Sequence, residues 1–198
     1  MAKGKFGVRA SETALPGVLL LEAERHGDER GFLSEVWNRK ALAAAGIRRD
    51  FVQDNHARSA ERFTLRGLHF QLPPHDQAKL VRVSRGAVLD VVVDVRRGSE
   101  TFGRHLAVVL SEQAWNQLYV PEGFAHGYLT LEPDSEVLYK VTDYYAPAAE
   151  RGLNYADPAL GIAWPVPPEA MRVNDRDRGF PRLAELPGDL FRTAGGAA

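Results

Sequence analysis

The 198-residue chain contains no cysteine. That absence removes disulfide staples, thiolate nucleophiles and cysteine-ligated zinc from consideration. Charge of one sign is equally scarce: 25 Lys and Arg against 26 Asp and Glu leave a formal net charge of −1. Such a chain has no overall positive field with which to hold a nucleic acid, although a local cationic pocket for a small anion remains open. Long apolar runs are missing as well. Near the start the longest is Val18 to Leu21, far short of a bilayer span, and Met1 to Val8 carries Lys3 and Lys5 without the apolar core of a signal peptide. A cytoplasmic protein with no membrane or nucleic-acid partner is expected. Internal repeats are absent too, and low complexity is confined to Thr193–Ala198, which reads as a flexible tail.

What is present is the mixture of a soluble globular protein, 44% hydrophobic and 26% charged, enough to bury one sizeable core. One domain over 1–198 is expected, with its core at about 15–165. A helix is predicted over Asn38 to Ala45, where Ala and Leu dominate and Gly46 supplies the stop. A shorter helical turn is predicted over Ser111 to Trp115, with Ser111 as N-cap. Most of the remainder reads as short strands: Leu80–Val83, Ala87–Val95, Leu106–Leu110, Gln117–Val120, Gly127–Leu131 and Glu136–Thr142. Gly86, Gly98-Ser99, Pro121 to Gly123 and Pro133-Asp134 punctuate them. Many short strands with few helices predict an all-β sandwich or jelly roll. Beyond Ala146, Pro147, Pro158, Pro165, Pro167 and Pro168 imply irregular wrapping rather than a second domain.

The segment Leu89 to Arg96 alternates with period two. Leu89, Val91, Val93 and Val95 share one face; Asp90, Val92, Asp94 and Arg96 share the other. The polar set fits either a solvated outer face or a barrel with a polar, ligand-holding interior.

Three stretches carry the chemistry: Arg66 to Gln71 followed by Gln77 to Leu80, then Pro121 to Gly127, then Tyr139-Lys140 with Tyr144-Tyr145. A lone histidine on an apolar strand is more often a core residue than a catalyst. His69, however, is flanked by Arg66 and Lys79, and buried cations call for an anionic partner. A regular strand would put Arg66 and His69 on opposite faces, and a bulge at Gly67 would turn both inward. Arg66 could then hold a phosphate while His69 handles a proton. The spacing Pro121-x-Gly123-x-x-His126 resembles the second motif of the cupin superfamily, in which that histidine often binds a metal. Metal-binding cupins add a second histidine two residues after the first and then a glutamate. Here those places hold Gln71 and Asp76, a poor face for a transition metal, so a metal-free site is expected. Tyr139 shares a face with Val137 and Val141 and is either a core residue or a phenolic proton donor opposite His69. Tyr144 and Tyr145 could close a barrel edge or stack on a base.

In order along the chain, these pieces resemble the dTDP-4-dehydrorhamnose 3,5-epimerase family. The matching series includes Asp28 to Phe32, Phe51 to Asn55, Leu65 to Gln71, Gln77 to Lys79, Asp90, Asp94 to Arg96, Pro121 to Gly127, Tyr139-Lys140, Tyr145, Asp157-Pro158 and Ile162 to Pro165. The resemblance implies a cupin-type jelly-roll β-barrel with a few short helices and an irregular C-terminal extension. It also implies a homodimer that needs no cofactor and acts on a dTDP-4-keto-6-deoxy sugar. By matching position His69 would be the base, Tyr139 the acid, and Lys79 a neighbour of the developing enolate. Arg30, Glu35, Gln53, Asp54, Asn55, Arg66, His126, Glu150 and Arg176 would contact the nucleotide sugar, and Tyr145 would stack on thymine. The family's closing Ser-x-Lys-Asp reads Asn174-Asp175-Arg176-Asp177 here. Asp177 would orient the base, with Asp175 as a near alternative. Epimerisation at only one carbon, a metal-dependent cupin and a non-catalytic sugar-binding cupin are the competing readings.

Overall fold

A computed structural model describes residues 7–191. The proposed tail 193–198 and most of Met1 to Val8 lie outside the described residues. Among the described residues thirteen strands follow one another: β1 Val8–Glu12, β2 Leu19–Ala23, β3 His26–Asp28, β4 Gly31–Leu33, β5 Gln53–Ser59, β6 Leu65–Gln71, β7 Lys79–Arg85, β8 Ala87–Asp94, β9 His105–Ser111, β10 Asn116–Val120, β11 Phe124–Thr130, β12 Ser135–Val141 and β13 Glu150–Gly152. They form a six-stranded sheet in the order β1-β2-β10-β7-β12-β5, a five-stranded sheet in the order β13-β6-β11-β8-β9, and the separate β3-β4 hairpin. Every strand pairing is antiparallel. The fold is the all-β jelly-roll barrel expected.

The predicted helix is present as α1, Arg39–Ala44. The Asn38 side chain caps it by accepting from the Lys40 and Ala41 N–H groups, and Gly46 leaves it at φ +93°. Ser111 to Trp115 makes one helical turn between β9 and β10. Its Trp115 N–H donates to the Ser111 carbonyl at 3.0 Å, and Ser111 Oγ accepts from Ala114 N–H at 3.0 Å.

Three apolar layers hold the sheets. Leu80 and Tyr119, on the outer face of the six-stranded sheet, pack with Leu42 and Ile47 of the α1 region. Between the sheets, Val81, Val83, Leu118, Val120 and Val137 meet Val88, Val92, Leu110, Phe124 and Tyr128. The outer face of the five-stranded sheet is covered by the C-terminal segment. There Leu68, Val91, Val93, Val95 and Leu129 pack against Leu153, Tyr155, Leu160, Met171, Leu186 and Leu190. The core thus continues to Leu190, past the expected limit near 165.

This layering decides the question posed by β8. Leu89, Val91, Val93 and Val95 face the C-terminal cover, and Asp90 and Asp94 face inward, both fully buried. The solvated-face alternative is excluded. Asp94 is structural: Arg96, Ser99 and Thr101 all donate to its carboxylate, which pins the loop after β8. Burial would push its carboxyl up, but these donors and the Arg96 guanidinium hold it below the ordinary aspartate value. Among the described residues no helix is long and apolar enough to cross a membrane.

Candidate active site

The site begins with a fault in a ladder. β11 pairs with β6 at His126–His69 and again at Tyr128–Arg66, so Gly67 and Leu68 together stand against the single residue Gly127. That is a β-bulge, and it turns Arg66 and His69 to the same interior face while Leu68 stays in the outer core. Two glycines permit it. Gly67 has φ +132°, and a Cβ there would lie 2.6 Å from Gly127 Cα.

His69 is then held from the far end of the chain. Its Nε2 lies 2.9 Å from Asp177 Oδ1, while the Gly67 N–H donates to Oδ2 of the same carboxylate at 3.0 Å. Asp177 belongs to the short helix α2, Asp175–Arg178, and the Asn174 side chain caps α2 by accepting from Asp177 N–H at 2.7 Å. Asp175 points to solvent; the partner of His69 is Asp177. Burial raises the Asp177 carboxyl, but the His69 and Gly67 donors outweigh it and keep the group ionised below its usual range. An ionised carboxylate accepts, so the imidazole proton sits on Nε2 and Nδ1 keeps a free lone pair. Phe180 meets the ring edge-on, with centroids 5.5 Å apart.

Around this dyad lies a cavity of about 290 Å³ between the two sheets. Tyr139 of β12 and Lys79 of β7 enter it from the six-stranded sheet. His69, Arg66, His126, Tyr128 and Glu150 enter from the five-stranded sheet. Lys79 is buried and donates to the His69 carbonyl at 3.2 Å. Burial pulls its ammonium down to about 8, against the opposing charges of Asp90 and Glu150. Burial pushes the Tyr139 phenol up, and the Arg66 guanidinium works in the other direction. His126 Nε2 is committed to the buried Asp90 carboxylate, 3.0 Å from both oxygens. At the mouth the exposed Tyr145 hydroxyl donates to Glu150, whose carboxylate also accepts from Arg176 at 2.7 Å. Arg66, Lys79 and Arg176 give the cavity a positive bias suited to an anionic ligand.

Known proteins carry the same pattern. The family description of dTDP-4-dehydrorhamnose 3,5-epimerase matches residues 12–185. The chain belongs to this epimerase family. It is 47% identical over 174 residues to the dTDP-4-dehydrorhamnose 3,5-epimerase of Sinorhizobium fredii, covering 86% of this chain and 87% of that protein. The crystal structure of the Bacillus anthracis epimerase with TDP and PPi bound superposes with a TM-score of 0.86 at 43% identity, covering 89% of this chain and 99% of that one. The Legionella pneumophila 3,5-epimerase in complex with dTDP-4-keto-L-rhamnose gives 0.89 at 39% identity, covering 94% and 98%. The chain is accordingly an isomerase of the nucleotide-sugar class.

Within this epimerase fold, not every residue singled out from sequence reaches the cavity. His69, Tyr139, Asp177, Lys79, Arg66, His126, Tyr145, Glu150 and Arg176 all line it. Gln53 and Asn55 stand beside it on β5, paired with Val141 and Tyr139, and Gln53 Oε1 accepts from Tyr145 N–H at 3.2 Å. Asp54 does not. Strand alternation turns it to the opposite face, where it binds Lys140 at 2.7 Å and shares a second hollow with Glu35. Arg30 sits at the tip of the β3-β4 hairpin, its side chain 82% exposed and paired with Asp28. Tyr128, which lines the cavity, and Phe180, which packs behind His69, escaped the sequence reading. Tyr128 could have been found, because it follows His126 by two and therefore shares its face. Phe180, which packs against His69 and fills the space beside Gly152, left no such signal.

Proposed function

We propose that this chain inverts C3 and C5 of dTDP-4-dehydro-6-deoxy-D-glucose to give dTDP-4-dehydro-L-rhamnose, in dTDP-L-rhamnose biosynthesis. It does so as a cytoplasmic homodimer and without a cofactor. The observation that carries the reading is one cavity lined by an oriented imidazole, a phenol and a buried ammonium. The C4 ketone acidifies the hydrogens on both neighbouring carbons. His69 removes one through Nδ1, with Asp177 stabilising the imidazolium that forms. Negative charge then moves to the ketone oxygen, where the buried Lys79 ammonium offsets it. Tyr139, kept protonated by burial, returns a proton to the opposite face of the planar carbon. Two groups on opposite faces are required, because a single base would restore the starting configuration. Arg66 and Arg176 would hold the diphosphate, and Tyr145 would stack on thymine.

Incubation with the keto sugar in D₂O tests the reading. Solvent deuterium should enter at both C3 and C5, and coupling to a downstream reductase with NADPH should yield dTDP-L-rhamnose. Exchange at one carbon alone would make the chain a mono-epimerase. Binding of the sugar without exchange would refute the acid-base scheme.

A further inference from the structure

Tyr128 stands out because its hydroxyl has nothing to do. The side chain is 4% exposed, and its oxygen has no hydrogen-bond partner among the described residues. Only one other buried side-chain atom there is in that position, Arg97 Nε, and its guanidinium already donates elsewhere, to the Leu186 carbonyl. A buried hydroxyl left unpaired costs about 1–3 kcal/mol on mutational scales, and a phenylalanine of the same shape would avoid that cost. The surroundings fit a ligand contact. Tyr128 lines the cavity directly opposite both Arg66 and Asp90 on the neighbouring strands. The Asp90 carboxylate is already engaged by His126.

We propose that the Tyr128 hydroxyl donates a hydrogen bond to an oxygen of the bound sugar and so serves as a sugar-recognition residue. The inference rests on the proposed function, which places a sugar ring in this cavity. Depth favours the sugar over the nucleotide. Arg66, Tyr145 and Arg176 are exposed at the mouth, whereas Tyr128 and Lys79 are buried at the floor. Burial and the neighbouring Tyr139 and Asp90 also raise its phenol far above the ordinary tyrosine value, against the opposing Arg66 charge. The group therefore stays a neutral donor at any working pH.

The test is binding of dTDP-4-dehydro-6-deoxyglucose and of dTDP alone, measured by calorimetry in a His69→Asn background with and without Tyr128→Phe. The added change should weaken the sugar nucleotide by about 5- to 100-fold and leave dTDP unchanged. Melting should occur at the same or a higher temperature, since no internal bond is lost. Equal affinities for the sugar nucleotide, or a parallel loss for both ligands, would overturn the assignment. The proposed function fails separately: wild-type protein that binds the keto sugar yet exchanges no α-hydrogen would refute the epimerase chemistry while leaving the Tyr128 contact intact.

Discussion

His69 and Asp177 are 108 positions apart in sequence and 2.9 Å apart in space. The carboxylate decides which imidazole nitrogen is basic, so the two should fail together. Replacing His69 by Ala should lower turnover roughly 10²–10⁴-fold while dTDP still binds, as calorimetry would register. Asp177→Asn keeps the shape but can present an NH₂ to Nε2, which favours the wrong tautomer; a loss approaching 10⁴-fold in kcat is expected. Under the proposed scheme Lys79 sets the alkaline limb. Its ammonium is lost as pH rises through about 8, so kcat should decline there, and Lys79→Arg should move that limb upward. The unfolded chain keeps this proton to the ordinary value of 10.5, so raising pH between the two values relieves a penalty on the folded state. The lost rate is then not traceable to Lys79 unfolding the protein, and a melting curve at each pH separates the two. Arg66, His69 and Gly67 were legible together because a glycine between two polar residues signals a bulge. The choice of Asp177 over Asp175 was not, since it depends on how Asn174 caps a four-residue helix.

At the level of elements, the bulge between β6 and β11 is the point where local geometry becomes chemistry. Gly127→Ala would put a Cβ 2.6 Å from the Arg66 carbonyl oxygen and 2.8 Å from Leu68 Cδ2. Strand separation by a few tenths of an ångström is then unavoidable. A cost of about 1–3 kcal/mol is expected, together with an activity loss larger than the stability loss explains. Differential scanning calorimetry beside steady-state kinetics would check both. Elements with apolar alternation, such as β8 and β12, could be read directly from the sequence. β5, Gln-Asp-Asn-His-Ala-Arg-Ser, could not. One face borders a polar cavity and the other carries His56, 3.0 Å from Glu136, and Asp54, paired with Lys140, so no hydrophobic period marks it. The β3-β4 hairpin escaped for a related reason: all six of its residues are exposed in the chain by itself.

Across the whole molecule, the prolines after Ala146 pointed to irregular wrapping, and the chain from Leu153 onward packs against the five-stranded sheet. What they could not convey is that the wrap supplies the far side of one of the apolar layers. Residues from Leu153 to Leu190 seal the outer face of the five-stranded sheet, and the same stretch carries Asp177 and Phe180 to His69. Cover and the support of that imidazole are thereby joined in one piece of chain. Lifting this strap would uncover Val91, Val93 and Leu129 and release the imidazole in the same event. Heat inactivation and the loss of β-sheet circular dichroism should therefore coincide, and a sugar nucleotide should raise both together. The seam that closes the barrel is also the one that aims the histidine, so neither can fail alone.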